Sequence, residues 1–325
     1  MEEKQEGRIL AYILDGAGGG KKVDWTDIEN WQPKQGVLWV HLDYSSRNTQ
    51  KWLTQKSGLD AVITEALSEE DSRPRCTMFQ EGLLLSLRGV NMNPGSDPED
   101  MVGIRIWLEK NRIISTSRRK LLSISDVEEL LDKGIGPETT SEFMVLISGR
   151  LMERMEHVID DLEDSVADLE DQVLTEERMQ LRSSLAALRR QAISLRRYLS
   201  PQREALSRLL IEKIPWLDET DRIRLREISD QLIRYLEDLD EARDRAAVTQ
   251  EELVNRLSEQ LNNKMYLLSI VAAIFLPLGF LTGLLGINVG GIPGADSKLG
   301  FTGFVLILVV VVVIQFWFFK KKKWL

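Results

Sequence analysis

The sequence predicts an α/β domain, then long α-helices, and then two C-terminal membrane-spanning helices. Three observations predict this order. Short apolar runs of strand length lie among helical patterns up to Glu138, helical periodicity then continues to Leu261, and two uncharged apolar runs follow. The length of 325 residues also exceeds that of a typical single domain, so more than one folding unit is expected.

Residues 1–138 have the pattern of a mixed α/β domain in the cytoplasm. Three helical stretches, Thr49–Lys56, Asp60–Leu67 and Ser125–Leu131, lie between or after short apolar strands. The predicted strands are Ile9–Leu14, Val37–Leu42, Leu83–Val90, Met101–Leu108 and Arg112–Ser117. The glycine-rich segment Gly16–Lys22 departs from a phosphate-binding loop, because Asp15 stands where the motif needs glycine. We interpret this segment as a flexible turn.

Residues 139–264 are predicted to form long cytoplasmic helices. Thr139 and Glu142 have the spacing of a capping box, which predicts a helix start, and the helix that follows has one apolar and one acidic face. A second helix, from about Glu176, is rich in arginine, so the two are predicted to form a hairpin with charges paired across it. Ser200-Pro201 either kinks or restarts this second helix.

A stalk helix is predicted from Asp218 to Gly286, because no proline or glycine interrupts Asp218–Leu276. Continuous over this range, it would be on the order of 100 Å long. Its polar positions are mostly acidic. In a symmetric oligomer, the equivalent carboxylates of all subunits would form a ring that concentrates cations. The alternative interpretation is that these carboxylates lie on a solvated helix face and are balanced by arginines. The candidate carboxylates for metal are Glu237, Asp240, Asp244, Glu251, Glu252 and Glu259.

The two apolar runs, residues 265–286 and 301–319, carry no charge and approach the ~20 residues that cross a bilayer as a helix. This length disfavours the alternative of a buried hairpin in a soluble protein. Lys264 flanks the first run and the basic tail, residues 320–325, follows the second, while the loop 287–300 holds only Asp296 and Lys298. The positive-inside rule therefore predicts a multi-pass protein of the cytoplasmic membrane with both termini in the cytoplasm.

Composition excludes several classes of function. The net charge is −9, and the residues before Tyr266 hold 37 basic and 50 acidic side chains, so nucleic acid is not an expected partner. One cysteine, Cys76, rules out a disulfide framework. His41 and Asp43 could form a metal pair on one strand face, but a hydrogen-bonded, partly buried histidine is the favoured interpretation. No catalytic grouping is visible, so we predict neither an enzyme nor a cofactor.

The loop after the first run carries the motif Gly286-Ile287-Asn288, followed by Gly-Gly-Ile-Pro-Gly at residues 290–294. A Gly-x-Asn motif with two C-terminal spans, a lysine-rich tail and a long stalk resembles the CorA superfamily of divalent-cation transporters. The glycine-rich continuation resembles its zinc-transporting ZntB branch. Further stretches with the same resemblance are Leu14–Gly16, Ser72–Arg75, Ser115–Arg118, Arg197–Arg203 and Lys323–Leu325.

This resemblance implies a funnel-shaped homopentamer in the lipid bilayer, with the first span lining the pore. It implies that Asn288 forms an outer ring that holds a hydrated cation through its water. It places the pore-lining stripe on positions that recur every three or four residues, as one helix face requires. These positions are Asn262, Met265, Leu268, Ala272, Leu276, Gly279 and Gly283.

The resemblance also implies Zn²⁺ as the transported ion, with other divalent cations as alternatives and proton-coupled uptake as a proposed mode. Zinc as a bare ion prefers histidine and cysteine ligands, and the stripe has neither, so the hydrated ion or the stalk carboxylates would have to provide any preference. Two other interpretations stay open. One is a membrane-anchored scaffold or sensor, and the other is a magnesium or cobalt channel of the CorA type.

Overall fold

The computed structural model describes residues 9–175, 180–286 and 298–322. By its internal contacts the chain divides into two compact units, Met1–Glu251 and Glu252–Leu325. The first unit contains the α/β domain and long helices, and the second contains the C-terminal part of one long helix and a further helix, both apolar enough to span a membrane. This confirms the predicted fold class.

A seven-stranded mixed sheet forms the centre of the first unit. Its strands are β1 (Ile9–Leu14), β2 (Gly20–Lys22), β3 (Val37–Asp43), β4 (Arg75–Phe79), β5 (Gly82–Gly89), β6 (Val102–Glu109) and β7 (Arg112–Ser117). Their spatial order is β2-β1-β3-β7-β6-β5-β4. The pair β3–β7 is parallel and the other neighbouring pairs are antiparallel.

Eight α-helices accompany the sheet in the described part of the chain. Three are short: α1 (Trp25–Asn30), α2 (Arg47–Gln55) and α3 (Ala61–Ser68). The others are α4 (Leu122–Asp132), α5 (Thr140–Thr175), α6 (Gln180–Ile211), α7 (Glu219–Gly286) and α8 (Gly300–Lys321). α3 contacts β6 and β7, while α5 and α6 contact β5.

Side chains of the sheet alternate between two buried layers, as the two-residue period of a strand requires. On β3, Leu38 and Val40 belong to the apolar cluster that includes Trp52 of α2. Trp39 points to the opposite layer and packs against Phe143 of α5, with ring centroids 4.9 Å apart. The sheet is therefore covered on both faces, which explains why its strands read as nearly continuous apolar runs.

The five predicted strands are all present, but β2, β4 and α1 were not predicted. The prediction that Gly16–Lys22 is a turn is wrong for its last three residues, which form β2 against β1. The turn is confined to the residues before β2, because Asp15 Oδ1 accepts from the backbone N–H groups of Ala17 and Gly19. The carboxylate at position 15 thus closes a hairpin.

Helix α5 begins at Thr140, one residue after the predicted cap, and Thr139 Oγ1 accepts from the Glu142 N–H at 3.1 Å. Pro201 lies inside α6, which continues through it, so the proline does not restart the helix. α5 and α6 contact each other as predicted. Their charges also reach α7, through the ion pairs Glu170–Arg245 (2.5 Å) and Arg196–Asp240 (2.8 Å).

Candidate ion pathway in the C-terminal helices

Two helices of the second unit are candidates for crossing a membrane. The C-terminal part of α7 and the whole of α8 each contain an 18-residue window that is strongly apolar, and 0% of either window is buried inside the single chain. Such extended apolar surface does not stay in contact with water, so it needs lipid or other subunits. These two helices are therefore the candidate membrane spans of the chain.

The first span has a covered and an uncovered face. Its half-buried residues are Ile270, Ala273, Ile274, Leu278 and Leu281. The seven residues of the predicted stripe are all exposed in the single chain, with Met265 at 66% and Leu276 at 71%. At 3.6 residues per turn, the centres of these two sets lie about 160° apart around the helix. The predicted stripe thus lies within the uncovered surface, which also includes Val271, Phe275 and Phe280.

Helix α8 covers the first span with one regular line of half-buried side chains, which we call the seam. Its half-buried residues recur every three or four positions at Phe304, Leu308, Val311 and Gln315, and Phe319 ends the seam at 5% exposed. Gln315 Nε2 donates to the backbone carbonyl oxygen of Ala273 at 3.4 Å. This contact fixes α8 to the covered face of the first span, opposite the predicted stripe.

Hydroxyl groups of the first span are bonded to their own helix. Ser269 Oγ donates to the Met265 carbonyl at 2.8 Å, and Thr282 Oγ1 donates to the Leu278 carbonyl at 2.9 Å. In both bonds the hydroxyl of residue i donates to the carbonyl of residue i−4, which is a common hydrogen bond for serine and threonine inside a helix. These hydroxyl donors are therefore already used.

The predicted selectivity motif is described only at its first residue. Gly286 ends α7 and has open space where a Cβ would stand. Ile287 and Asn288 lie outside the described residues, as does most of the loop 287–300. The role of Asn288 therefore stays a prediction.

The candidate stalk carboxylates fall into two groups. Glu237, Glu251 and Glu259 are exposed and have no ion pair among the described residues. The other three form ion pairs: Asp240 with Arg196 (2.8 Å) and Arg243 (3.0 Å), Asp244 with Arg243 (2.8 Å), and Glu252 with Arg256 (2.8 Å). Paired carboxylates are partly neutralised, so the exposed glutamates are better placed to attract cations from solution.

An acidic patch between α5 and α7 was not singled out from the sequence. Burial raises the pKa of Asp238, and repulsion from Glu237, Glu241 and Asp160 raises it further. Glu163 of α5 has a raised pKa for the same first cause, with Asp238 as its strongest repulsive neighbour. To predict this patch from the sequence, one would need to know which residues of α7 lie opposite the acidic face of α5, and the sequence pattern does not give that alignment.

Metal ligands do not converge within the described part of the single chain. Across residues 9–175, 180–286 and 298–322, no group of three or more His, Cys, Asp or Glu side chains has the geometry to hold a metal ion. His41 contacts hydroxyl groups through both ring nitrogens, Nδ1 to Ser115 Oγ at 2.9 Å and Nε2 to Ser117 Oγ at 3.3 Å. It is thus a hydrogen-bonded histidine, as the sequence favoured, and it is buried.

Comparison with known proteins defines the class to which this architecture belongs. The family model for CorA-like Mg²⁺ transporter protein matches residues 34–321. The zinc transport protein ZntB of Pectobacterium atrosepticum is 40% identical over 324 residues, covering 100% of this chain and 98% of the relative. The divalent cation transporter CmaX of Pseudomonas aeruginosa is 40% identical over 325 residues, covering 99% and 98%.

A solved structure of full-length CmaX superimposes with a TM-score of 0.86 at 39% identity, covering 98% of this chain and 99% of that one. Fold, spans and relatives together define a membrane transporter for divalent cations and not an enzyme. The chain belongs to the family of CorA-like Mg²⁺ transporters, which confirms the resemblance read from its motifs.

Proposed function

We propose that this chain moves Zn²⁺ across the cytoplasmic membrane through a homopentamer, along the exposed stripe of α7. The observation that carries the proposal is the two-faced first span: α8 covers one face, and the predicted stripe lies on the other. Two helices cannot enclose an aqueous path, so several copies of the uncovered face must surround one axis. An anchor would present this face to lipid, whereas a pore would present it to the axis of the oligomer, so the oligomeric state and the ion flux distinguish the two.

Zinc is proposed because ZntB relatives share about 40% of their residues with this chain over its full length. The exposed stripe offers one amide, one thioether and otherwise apolar or small side chains. Such a surface does not replace the water of a bound ion, so a hydrated ion passes more readily than a stripped one. We propose that Asn288 holds this hydrated ion at the entrance.

Proton-coupled uptake is the proposed mode, with both termini in the cytoplasm. The seven stripe residues have no side chain that titrates near neutral pH. Proton coupling would therefore have to involve carboxylates outside the stripe, and Glu237, Asp240, Asp244, Glu251, Glu252 and Glu259 are the proposed cation-attracting groups. A gradient of pH across proteoliposomes should then change the zinc flux at constant zinc concentration.

The central test replaces Asn288 by glycine. Glycine ends a helix as well as asparagine does, so the protein should fold, but the ring of amides is lost. We expect Asn288→Gly to remain a pentamer by mass measurement in detergent, with zinc flux into liposomes largely abolished. Asn263→Gly, a change at an exposed asparagine off the stripe, is the matched control and should transport normally.

Two results would contradict the proposal. Near-normal zinc flux in Asn288→Gly would make Asn288 a helix cap without a role in ion entry. A stable monomer by mass would remove the pore altogether and favour the scaffold or sensor interpretation. Flux of Mg²⁺ or Co²⁺ in preference to Zn²⁺, measured in the same liposomes, would favour the magnesium or cobalt channel.

A further inference from the structure

The first span contains a break in its hydrogen bonds at Pro277, although α7 continues through it to Gly286. Proline has no backbone N–H, so residue 277 cannot donate to the carbonyl oxygen four residues earlier, which belongs to Ala273. In hydrocarbon no water can take the place of the missing donor. The Ala273 carbonyl therefore needs a donor from outside its own helix.

Gln315 of α8 supplies that donor. Its Nε2 donates to the Ala273 carbonyl oxygen at 3.4 Å, from a seam whose other members are Phe304, Leu308, Val311 and Phe319. The single polar side chain of this seam thus lies against the carbonyl that the proline has left without its helical donor. A carbonyl can only accept, so the amide must present its nitrogen here, which fixes the orientation of the side chain.

The contact between Gln315 and Ala273 leaves one polar atom of the glutamine unpaired within the described part of the chain. Gln315 Oε1 is buried and has no hydrogen-bond partner among the described residues. An apolar side chain at position 315 would avoid this unpaired oxygen and would continue the seam. Glutamine is favoured at position 315 only if the hydrogen bond from its Nε2 stabilises the fold by more than the unpaired Oε1 destabilises it. The Ala273 carbonyl, which has lost its helical donor, accepts that hydrogen bond.

We propose that Gln315 is a positioning residue for the ion pathway. Its amide ties α8 to the Pro277 break and thereby sets which face of the first span stays uncovered. Leu276 and Gly279 of the stripe lie within one turn of the break, so a loosened contact would turn these two residues first. The inference rests on the proposed pathway along this stripe, and it adds the residue that orients it.

The experiment is a double-mutant cycle in the full-length chain. Gln315→Met keeps the length of the side chain and removes the donor. Pro277→Ala restores an N–H at residue 277, so the Ala273 carbonyl regains a partner within α7. We measure the thermal unfolding of the oligomer in detergent, and the zinc flux per folded oligomer in liposomes at a temperature well below unfolding.

Gln315→Met should lower the ratio of folded to unfolded protein by about three- to tenfold, in the range seen for hydrogen bonds between membrane helices. It should also lower zinc flux per folded oligomer, which simple destabilisation would not change. In the Pro277→Ala background both effects should largely disappear. Val311→Met, on the same seam, is the matched control and should have the same effect in both backgrounds.

Equal effects of Gln315→Met in both backgrounds would overturn the proposal, because the amide would then not serve the proline break. Coupling in stability without any change in flux would overturn the positioning role. Failure of the proposed function is a separate result, since it would appear as a parent protein without zinc flux. The stability cycle remains interpretable in that case because it does not depend on transport.

Discussion

Gln202 holds helix α6 to the sheet through one buried hydrogen bond, and its loss should be measurable. Gln202 is 0% exposed, and its Oε1 accepts from the backbone N–H of Arg88 at 2.7 Å. Arg88 lies on β5 two residues beyond Ser86, which pairs with the first residue of β4. The neighbouring strand therefore ends too early to pair with this N–H, and the glutamine takes its place.

The magnitude follows from what each substitution leaves behind. Gln202→Leu fills a similar volume but leaves the buried N–H without an acceptor, at a cost of about 1–3 kcal/mol. It also removes the Gln202 Nε2, a buried donor with no partner among the described residues, so part of that cost is recovered. We expect a net loss of about 1–2 kcal/mol for leucine, and a larger loss for Gln202→Ala, which adds a cavity.

The assay is thermal unfolding of the full-length chain in detergent, followed by circular dichroism. For a unit of this size, a loss of about 1–2 kcal/mol lowers the midpoint by about 2–8 °C. Gln180→Leu, an exposed change on the same helix, is the control and should leave the midpoint nearly unchanged. A midpoint for Gln202→Leu equal to or above that of the parent would refute the reasoning.

Two further predictions concern charge and topology. Asp238→Asn should stabilise the protein at neutral pH by up to about 1 kcal/mol, because the raised pKa of Asp238 means that its ionised form opposes folding. This gain in stability should vanish as the pH falls below the usual aspartate pKa, where both the folded and the unfolded protein carry a protonated Asp238. The control is Asp244→Asn, which removes an ion pair with Arg243 and should give no gain in stability. A cysteine at Ala295 should react with an impermeant thiol reagent outside cells and one at Glu3 should not, and the reverse labelling would invert the topology. Cys76 should not interfere, because burial raises the pKa of its thiol to about 12.

Periodicity predicted the long elements of this fold well, because their burial is set by position along one helix or strand. The stalk was expected from Asp218 and α7 begins at Glu219, and β1 and β7 have their predicted bounds. Besides the short helix α1, the elements that were missed are short edge strands. β2 has three residues, two of them lysines, and β4 begins with an arginine, so neither has the apolar run on which the prediction depends.

Contacts between elements distant in sequence were beyond prediction. Tyr198 and Gln202 belong to a stretch that carried the family resemblance, but their role became visible only in the fold. Arg88 packs its guanidinium on the Tyr198 ring at 4.1 Å while its N–H bonds Gln202. The register between β5 and α6 that brings these residues together is a property of packing, and no local pattern in the sequence records it.

In the two C-terminal helices, a proline whose effect is local is compensated by a contact with a residue distant in sequence. Pro277 could be read from the sequence as a disruption of the first span, and Gln315 as an isolated polar residue in the second. Each is unfavourable alone in a bilayer, because one leaves a carbonyl and the other an amide without a partner. Gln315 Nε2 lies 3.4 Å from the Ala273 carbonyl oxygen, so the amide donor and the carbonyl pair with each other on the face opposite the exposed stripe. In the proposed pathway, the contact that supplies the missing donor also sets which face of the first span lines the route for ions.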